Sequence, residues 1–215
     1  MSVARGDEDP RCTLRRVSDA FDAEYFQRFY GPHGRSAQGA ADAARLCRFV
    51  TAAADAQGVT LGSALEVGAG AGLWRDWFAR HRDGTRYVST DVSEFACERF
   101  GHRRLDIARE KLGERFDLVV CQGVLPYLAD ADALRAMDHL AAMTGSLLYL
   151  ECQTARDIAE VCDPKRSDPA LIARPARFYV ERLERSLIHL GLNLWAPKRA
   201  SGSYWELESG TLARR

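Results

Sequence analysis

The sequence of 215 residues predicts one doubly wound α/β domain on a mostly parallel sheet, preceded by an N-terminal helical cap. Three observations carry that expectation. Short apolar runs alternate with amphipathic helical stretches from residue 63 onward, the pattern of buried strands joined by crossover helices. The first of those runs empties into a Gly-rich turn followed at once by a helix. A chain of this length, 47% hydrophobic and 28% charged, fills one core better than two small ones.

Taken in order, residues 1–16 alternate charge through Asp7, Glu8, Asp9, Arg11, Arg15 and Arg16, and are expected to form a mobile arm. They lack the apolar stretch of a signal peptide. Residues 17–58 make the cap. Asp19 to Tyr30 sets Phe21, Tyr25 and Phe29 at helical spacing, with Phe26 and Tyr30 on the neighbouring stripe, and Gly31-Pro32 ends the helix. Ser36 can cap a second helix reaching about Gln57. The core, residues 59–215, offers strands at Ala64–Val67, Tyr87–Ser89, Phe116–Cys121 and Ser146–Glu151, plus a short one ending at Asp106. Helices are expected at Leu73–His81 and Asp130–Met143. Residues 152–175 are rich in Pro and charge, without a clean period. Arg177 to Leu190 reads as an amphipathic helix stopped by Gly191, and Leu192–Ala196 with Ser203–Leu207 as two closing strands joined across residues 197–202.

Thirty cationic and 30 anionic residues cancel, so no general pull toward nucleic acid or an anionic membrane is expected. Only three of the cations are Lys, a skew that fits a GC-rich, bacterial genome better than an arginine-based function. The six Cys form no C-x-x-C pair and have no His at metal-ligand spacing, which argues against zinc ribbons and redox dithiols. No window approaches the ~20 apolar residues needed to span a bilayer. A reduced, cytoplasmic protein without a metal is the expectation.

The sharpest local feature is Glu66-Val67-Gly68-Ala69-Gly70-Ala71-Gly72-Leu73. Glycines let the backbone turn tightly and approach a ligand, and the helix behind them presents unpaired N–H groups. Gly70-Ala71-Gly72-Leu73 fails the G-x-G-x-x-G/A spacing of a dinucleotide site, which disfavours a nicotinamide enzyme. A ligand-free turn is the plain alternative for this loop by itself. Asp91, after the second strand, is placed to take both hydroxyls of a ribose. Asp106 can accept from an adenine amino group or cap the helical turn after Ile107, two readings of equal weight for that residue.

These residues together resemble the class I S-adenosylmethionine-dependent methyltransferases, whose Rossmann-like fold has seven strands. Glu66-x-Gly68-x-Gly70-x-Gly72 is similar to that family's first motif, Asp91 to its ribose acid, and Asp106-Ile107 to its adenine pair. Phe116 to Leu128 resembles its fourth strand and following loop, and Leu190-Gly191-Leu192 with two last strands its antiparallel hairpin. The resemblance covers roughly residues 60–208. It implies S-adenosylmethionine as cofactor, S-adenosylhomocysteine as product, and contacts from Glu66, Gly68, Ala69, Gly70, Gly72, Asp91, Val92, Asp106, Ile107, Gln122 and Gly123.

Tyr25 and Tyr30 are expected to cover a sulfonium with their faces, while Phe26 and Phe29 read as core packing. Tyr127 is the first choice for an acceptor contact, His33 a candidate general base in a loop that can close over the site. His102, His139 and His189 read as structural, and Glu151 either faces the acceptor or caps a helix. No Asn/Asp-Pro-Pro-aromatic sequence follows the fourth strand, and no Pro precedes Cys121, so base-amino and cytosine-C5 chemistry are disfavoured. The basic run at Arg99, His102, Arg103 and Arg104 is short and flanked by acids. Methyl transfer to an O or N atom of a small molecule or small peptide is the expected function, with neither nucleic acid nor membrane as partner. The alternative is a cofactor-binding protein of the same fold that transfers nothing.

Overall fold

The computed structural model describes residues 20–31 and 39–198. Two helices, α1 (Ala23–Tyr30) and α2 (Ala40–Ala56), precede the sheet. There follow β1 (Ser63–Val67), α3 (Leu73–His81), β2 (Arg86–Asp91), α4 (Glu94–Phe100), β3 (Arg103–Arg104) and β4 (Phe116–Gln122). A single 3-10 turn, Leu125–Tyr127, leads into α5 (Asp130–Met143) and β5 (Thr144–Glu151). The chain closes on α6 (Ala155–Glu160), α7 (Ala176–Leu183), β6 (Leu187–Gly191) and β7 (Leu194–Pro197).

The seven strands lie in the order β3-β2-β1-β4-β5-β7-β6. The first five are parallel, and β7 enters antiparallel beside β5, with Leu148 opposite Trp195. Strand order reverses between β1 and β4, so the loops leaving those two strands diverge and open a crevice at their carboxyl ends. Alternation along β4 sorts two cores. Val119 and Cys121 face α5 and α7, whereas Leu118 and Val120 face α2 and α3. Cys47, Val50 and Ala54 of α2 are buried in the second core beside Trp74, Trp77 and Phe78 of α3. The second N-terminal helix is therefore mainly a layer on the sheet that touches the crevice through Ala43, while α1 reaches it with Tyr25, Phe29 and Tyr30. No helix among the described residues is long and apolar enough to cross a membrane.

Three expectations need correction. The amphipathic stretch from Arg177 is helical only to Leu183, and Leu187–Gly191 is a strand. Leu183 and Leu187 sit in the same core, so a spacing of four satisfies helix and strand alike until β7 is there to pair. The hairpin consequently turns at Leu192 and Asn193, both at positive φ, a two-residue turn that follows the twist of its strands. It does not turn across residues 197–202, and Ser203–Leu207 lies outside the described residues. The third strand stops at Arg104, and Asp106 begins the turn beyond it. In residues 152–175, Thr154 and Asp157 form a capping box that starts α6, a helix too short to show a period.

Arg174 is buried, with 3% of its surface exposed, beneath the loop that carries Tyr127. Its guanidinium donates to the carbonyls of Leu125 and Leu128 and pairs with Asp130, whose side chain is 73% exposed. Removing it strands two carbonyls, while removing the exposed acid strands little. Arg174→Met is expected to lower the unfolding free energy by about 2–4 kcal/mol and Asp130→Ala by less than about 1 kcal/mol. Urea unfolding measures both, and equal losses would mean the ion pair matters rather than the carbonyls.

Candidate active site

The crevice holds two adjoining cavities, of about 430 Å³ and about 100 Å³. Tyr25, Tyr30, Gly68, Gln122, Gly123 and Tyr127 line both. The smaller is walled by Gly70, Asp91, Val92, Asp106 and Ile107 over an apolar floor of Phe26, Leu105 and Leu128. The larger is walled by Glu66, Ala69, Trp74 and Glu151, and on its far side by residues 161–163, 166–168 and Leu171.

The loop after β1 is held by main-chain bonds that only this sequence allows. Gly68 and Ala69 both donate N–H to the Thr90 carbonyl. Gly68 has φ +75°, and a Cβ there would stand 2.2 Å from Val124 Cγ2. Gly70 donates its N–H to Asp91 Oδ2 at 2.9 Å, and its carbonyl lies 3.0 Å from His102 Nε2. A carbonyl can only accept, so Nε2 carries the proton and Ser89 Oγ donates to Nδ1 at 2.9 Å. Burial pushes the imidazole down and keeps it neutral. Gly72 starts α3 and lines neither cavity; it serves the turn.

Asp91 is a buried acid. Only 7% exposed, it accepts from Ser93 N through Oδ1 while Oδ2 holds Gly70. Burial raises its pKa, and the N–H groups of Ser93 and Gly70 oppose that rise. Each oxygen keeps a lone pair for a ligand in the smaller cavity. Asp106 Oδ1 caps the turn at Ala108 N, 3.0 Å away, and the residue also lines the smaller cavity. Glu66 is buried, its carboxyl accepting from the Tyr87 hydroxyl at 2.9 Å. Burial pushes this acid up to about 8, with the charge of Asp91 adding to the rise.

Tyr30 brings its hydroxyl against Gly70, and its ring stacks on Phe26 with centroids 5.5 Å apart. Phe26 is core, as expected, but Phe29 lines the larger cavity. Gln122 accepts from Trp74 Nε1 at 3.1 Å and donates to Glu151 Oε2 at 3.0 Å; Glu151 also accepts from Tyr149. So Glu151 faces the cavity rather than capping α6. His33 lies outside the described residues. Unforeseen from sequence were the role of His102 and the whole wall at 161–171, where Asp168 Oδ2 accepts from the Tyr127 hydroxyl. No pattern in the sequence marks that wall.

Residues 65–146 match a family described as a methyltransferase domain. No curated protein matches the sequence significantly. Among solved structures, a sugar N-methyltransferase from Streptoalloteichus sp ATCC 53650 is similar over 92% of this chain and 98% of its own, at 17% identity and TM-score 0.57. A magnesium protoporphyrin IX methyltransferase from Synechocystis PCC 6803 with bound SAM is similar over 84% of this chain and 95% of its own, at 17% identity and TM-score 0.55. Against an S-adenosylmethionine-dependent methyltransferase from Clostridium acetobutylicum ATCC 824, the chain spans only 59% of the other protein (65% of this chain, 12% identity, TM-score 0.47). At these identities the likeness is one of fold.

The raised Glu66 carries a pH signature. Its folded pKa of about 8 exceeds the ordinary 4.5, so between those values the native state holds a proton that the unfolded chain has lost. Stability contributed by the protonated acid is therefore full below about 4.5 and falls as pH rises to about 8. Glu66→Gln keeps an acceptor for Tyr87 and never ionises. Its stability relative to wild type is expected to rise steadily across that window, measured by denaturant unfolding at several pH values; parallel curves would refute the assignment.

Proposed function

We propose that this chain, which carries a methyltransferase domain on the class I S-adenosylmethionine-dependent fold, transfers a methyl group from S-adenosylmethionine to an O or N atom of a small molecule. One observation carries the reading: a glycine loop and three acids, Glu66, Asp91 and Asp106, converge from the ends of β1, β2 and β3 on paired cavities at the switch point. The residues fit the cofactor. The smaller cavity offers an acid with spare lone pairs for ribose hydroxyls and an apolar slot between Ile107 and Leu128 for a flat ring. Gly68 and Gly70 leave main chain bare toward the neighbouring space, and Glu66 and the aromatic faces of Tyr25 and Tyr30 suit a cationic chain.

When bound, S-adenosylmethionine would supply a methyl carbon on a positively charged sulfur that can leave with the bonding pair. What this chain adds is placement. Asp91 and Asp106 would hold one end, α1 lines the seam with Tyr25 and Tyr30, and residues 161–171 would shape the acceptor's side. The acceptor is a small molecule on this reading, since the larger cavity has the size of a small-ligand site. The five described cysteines are free thiols, in keeping with a reducing, cytoplasmic compartment.

Calorimetry with S-adenosylmethionine and S-adenosylhomocysteine tests the cofactor, and transfer of a labelled methyl group to a metabolite library tests the activity. Binding of NAD but of neither sulfur compound would sink the reading. Asp91→Ala is expected to weaken S-adenosylmethionine by roughly 2–4 kcal/mol. Because Asp91 also anchors Gly70 and Ser93, the variant is expected to lose about 1–3 kcal/mol of stability as well. A folded Asp91→Ala protein with undiminished affinity would remove the residue from the site.

A further inference from the structure

Tyr25 and Tyr127 lie 102 residues apart in sequence, and Asp168 a further 41, yet their oxygens form one line. The Tyr25 and Tyr127 hydroxyls stand 3.3 Å apart, and Tyr127 donates to Asp168 Oδ2 at 3.2 Å. Direction along this line is settled by proton counting. A carboxylate has no proton to give, so the only proton on Tyr127 goes to Asp168. Tyr25 must then donate to Tyr127, which leaves the Tyr25 oxygen as the accepting end.

The line is braced at every member. The Phe21 ring meets both tyrosine rings edge-on, at 4.9 Å and 5.0 Å between centroids. Asp168 Oδ1 accepts from Ala170 N at 2.9 Å, which fixes the carboxylate. Burial raises both phenols and keeps their protons in place. Both tyrosines line both cavities, and so stand at the seam where cofactor and acceptor would meet.

We propose that Asp168, acting through Tyr127, fixes the Tyr25 oxygen as the acceptor of a hydrogen bond from the incoming nucleophile. The methyl acceptor is then a primary or secondary amine or a hydroxyl, a group that still carries a proton, rather than a tertiary amine or a thioether. Asp168 is a positioning residue; Tyr25 makes the contact. This rests on the methyltransferase reading.

Sinefungin, in which an amine-bearing carbon replaces the methylated sulfur, puts N–H donors at the seam without needing the natural acceptor. Its affinity relative to S-adenosylhomocysteine, by calorimetry on the full chain, is the readout. Asp168→Ala is expected to cut that ratio about tenfold while S-adenosylhomocysteine binds as before, and Tyr25→Phe to cut the ratio by as much whatever its effect on S-adenosylhomocysteine itself. Asp168→Asn, which keeps an oxygen to accept from Tyr127, is expected to stay within about threefold of wild type. An unchanged ratio in Asp168→Ala overturns the proposal. So do equal losses in Asp168→Ala and Asp168→Asn, which would mean charge alone, and loss of S-adenosylhomocysteine itself in Asp168→Ala, which would mean general support. A wild-type chain that binds neither compound brings down the methyltransferase reading instead, and the proposal with it.

Discussion

Between Val67 and Leu73 the chain must leave a buried strand, reverse and begin a helix within residues 68–72, with Val124 pressing on one side and the Tyr30 hydroxyl on the other. Three positive-φ glycines make the path sterically open but do not choose it. The choice falls to three partners outside the loop: the Thr90 carbonyl, the Asp91 carboxylate and the His102 imidazole. All three belong to β2 or to the segment just before β3. The floor of the site is thus built where β1, β2 and β3 run side by side, and any disturbance of β2 reaches the loop through hydrogen bonds rather than packing.

That arrangement explains what was legible in the sequence. A glycine spaced for a turn, an apolar run before it and an acid after the next strand are local features, and local features survive in one dimension. Glu66, Gly68, Gly70, Asp91 and Asp106 could be singled out because each follows or ends a run that had to be a strand. Their second duties could not. Nothing beside Asp91 announces that it is buried and holds Gly70, and nothing beside His102 announces the Gly70 carbonyl, 32 residues back in the chain. These bonds exist only once parallel pairing brings β1, β2 and β3 into register.

The wall of the larger cavity at residues 161–171 was hidden for the same reason carried further. Residues 161–171 have no period to read, because they are pinned by contacts at their ends. Ile172 N donates to the Pro126 carbonyl at 2.8 Å, and Ala155 N to the Arg174 carbonyl at 2.7 Å. Arg174 in turn ties the segment to the loop after β4. The mistaken helix across Leu187 has a related origin: an apolar spacing that fits one core in two conformations is decided by the pairing with β7, which the local pattern does not contain.

Two buried carboxyls, Glu66 and Asp91, share this small volume, and their environments push them apart. Asp91 receives backbone N–H bonds, chiefly from Ser93 and Gly70, that favour its charged form against burial. Glu66 receives one phenolic hydrogen bond, too little to offset burial and the neighbouring charge, and its pKa of about 8 leaves it mostly protonated at neutral pH. The two acids therefore differ in how strongly the fold opposes their ionisation. A positive group beside Glu66 would favour its ionised form.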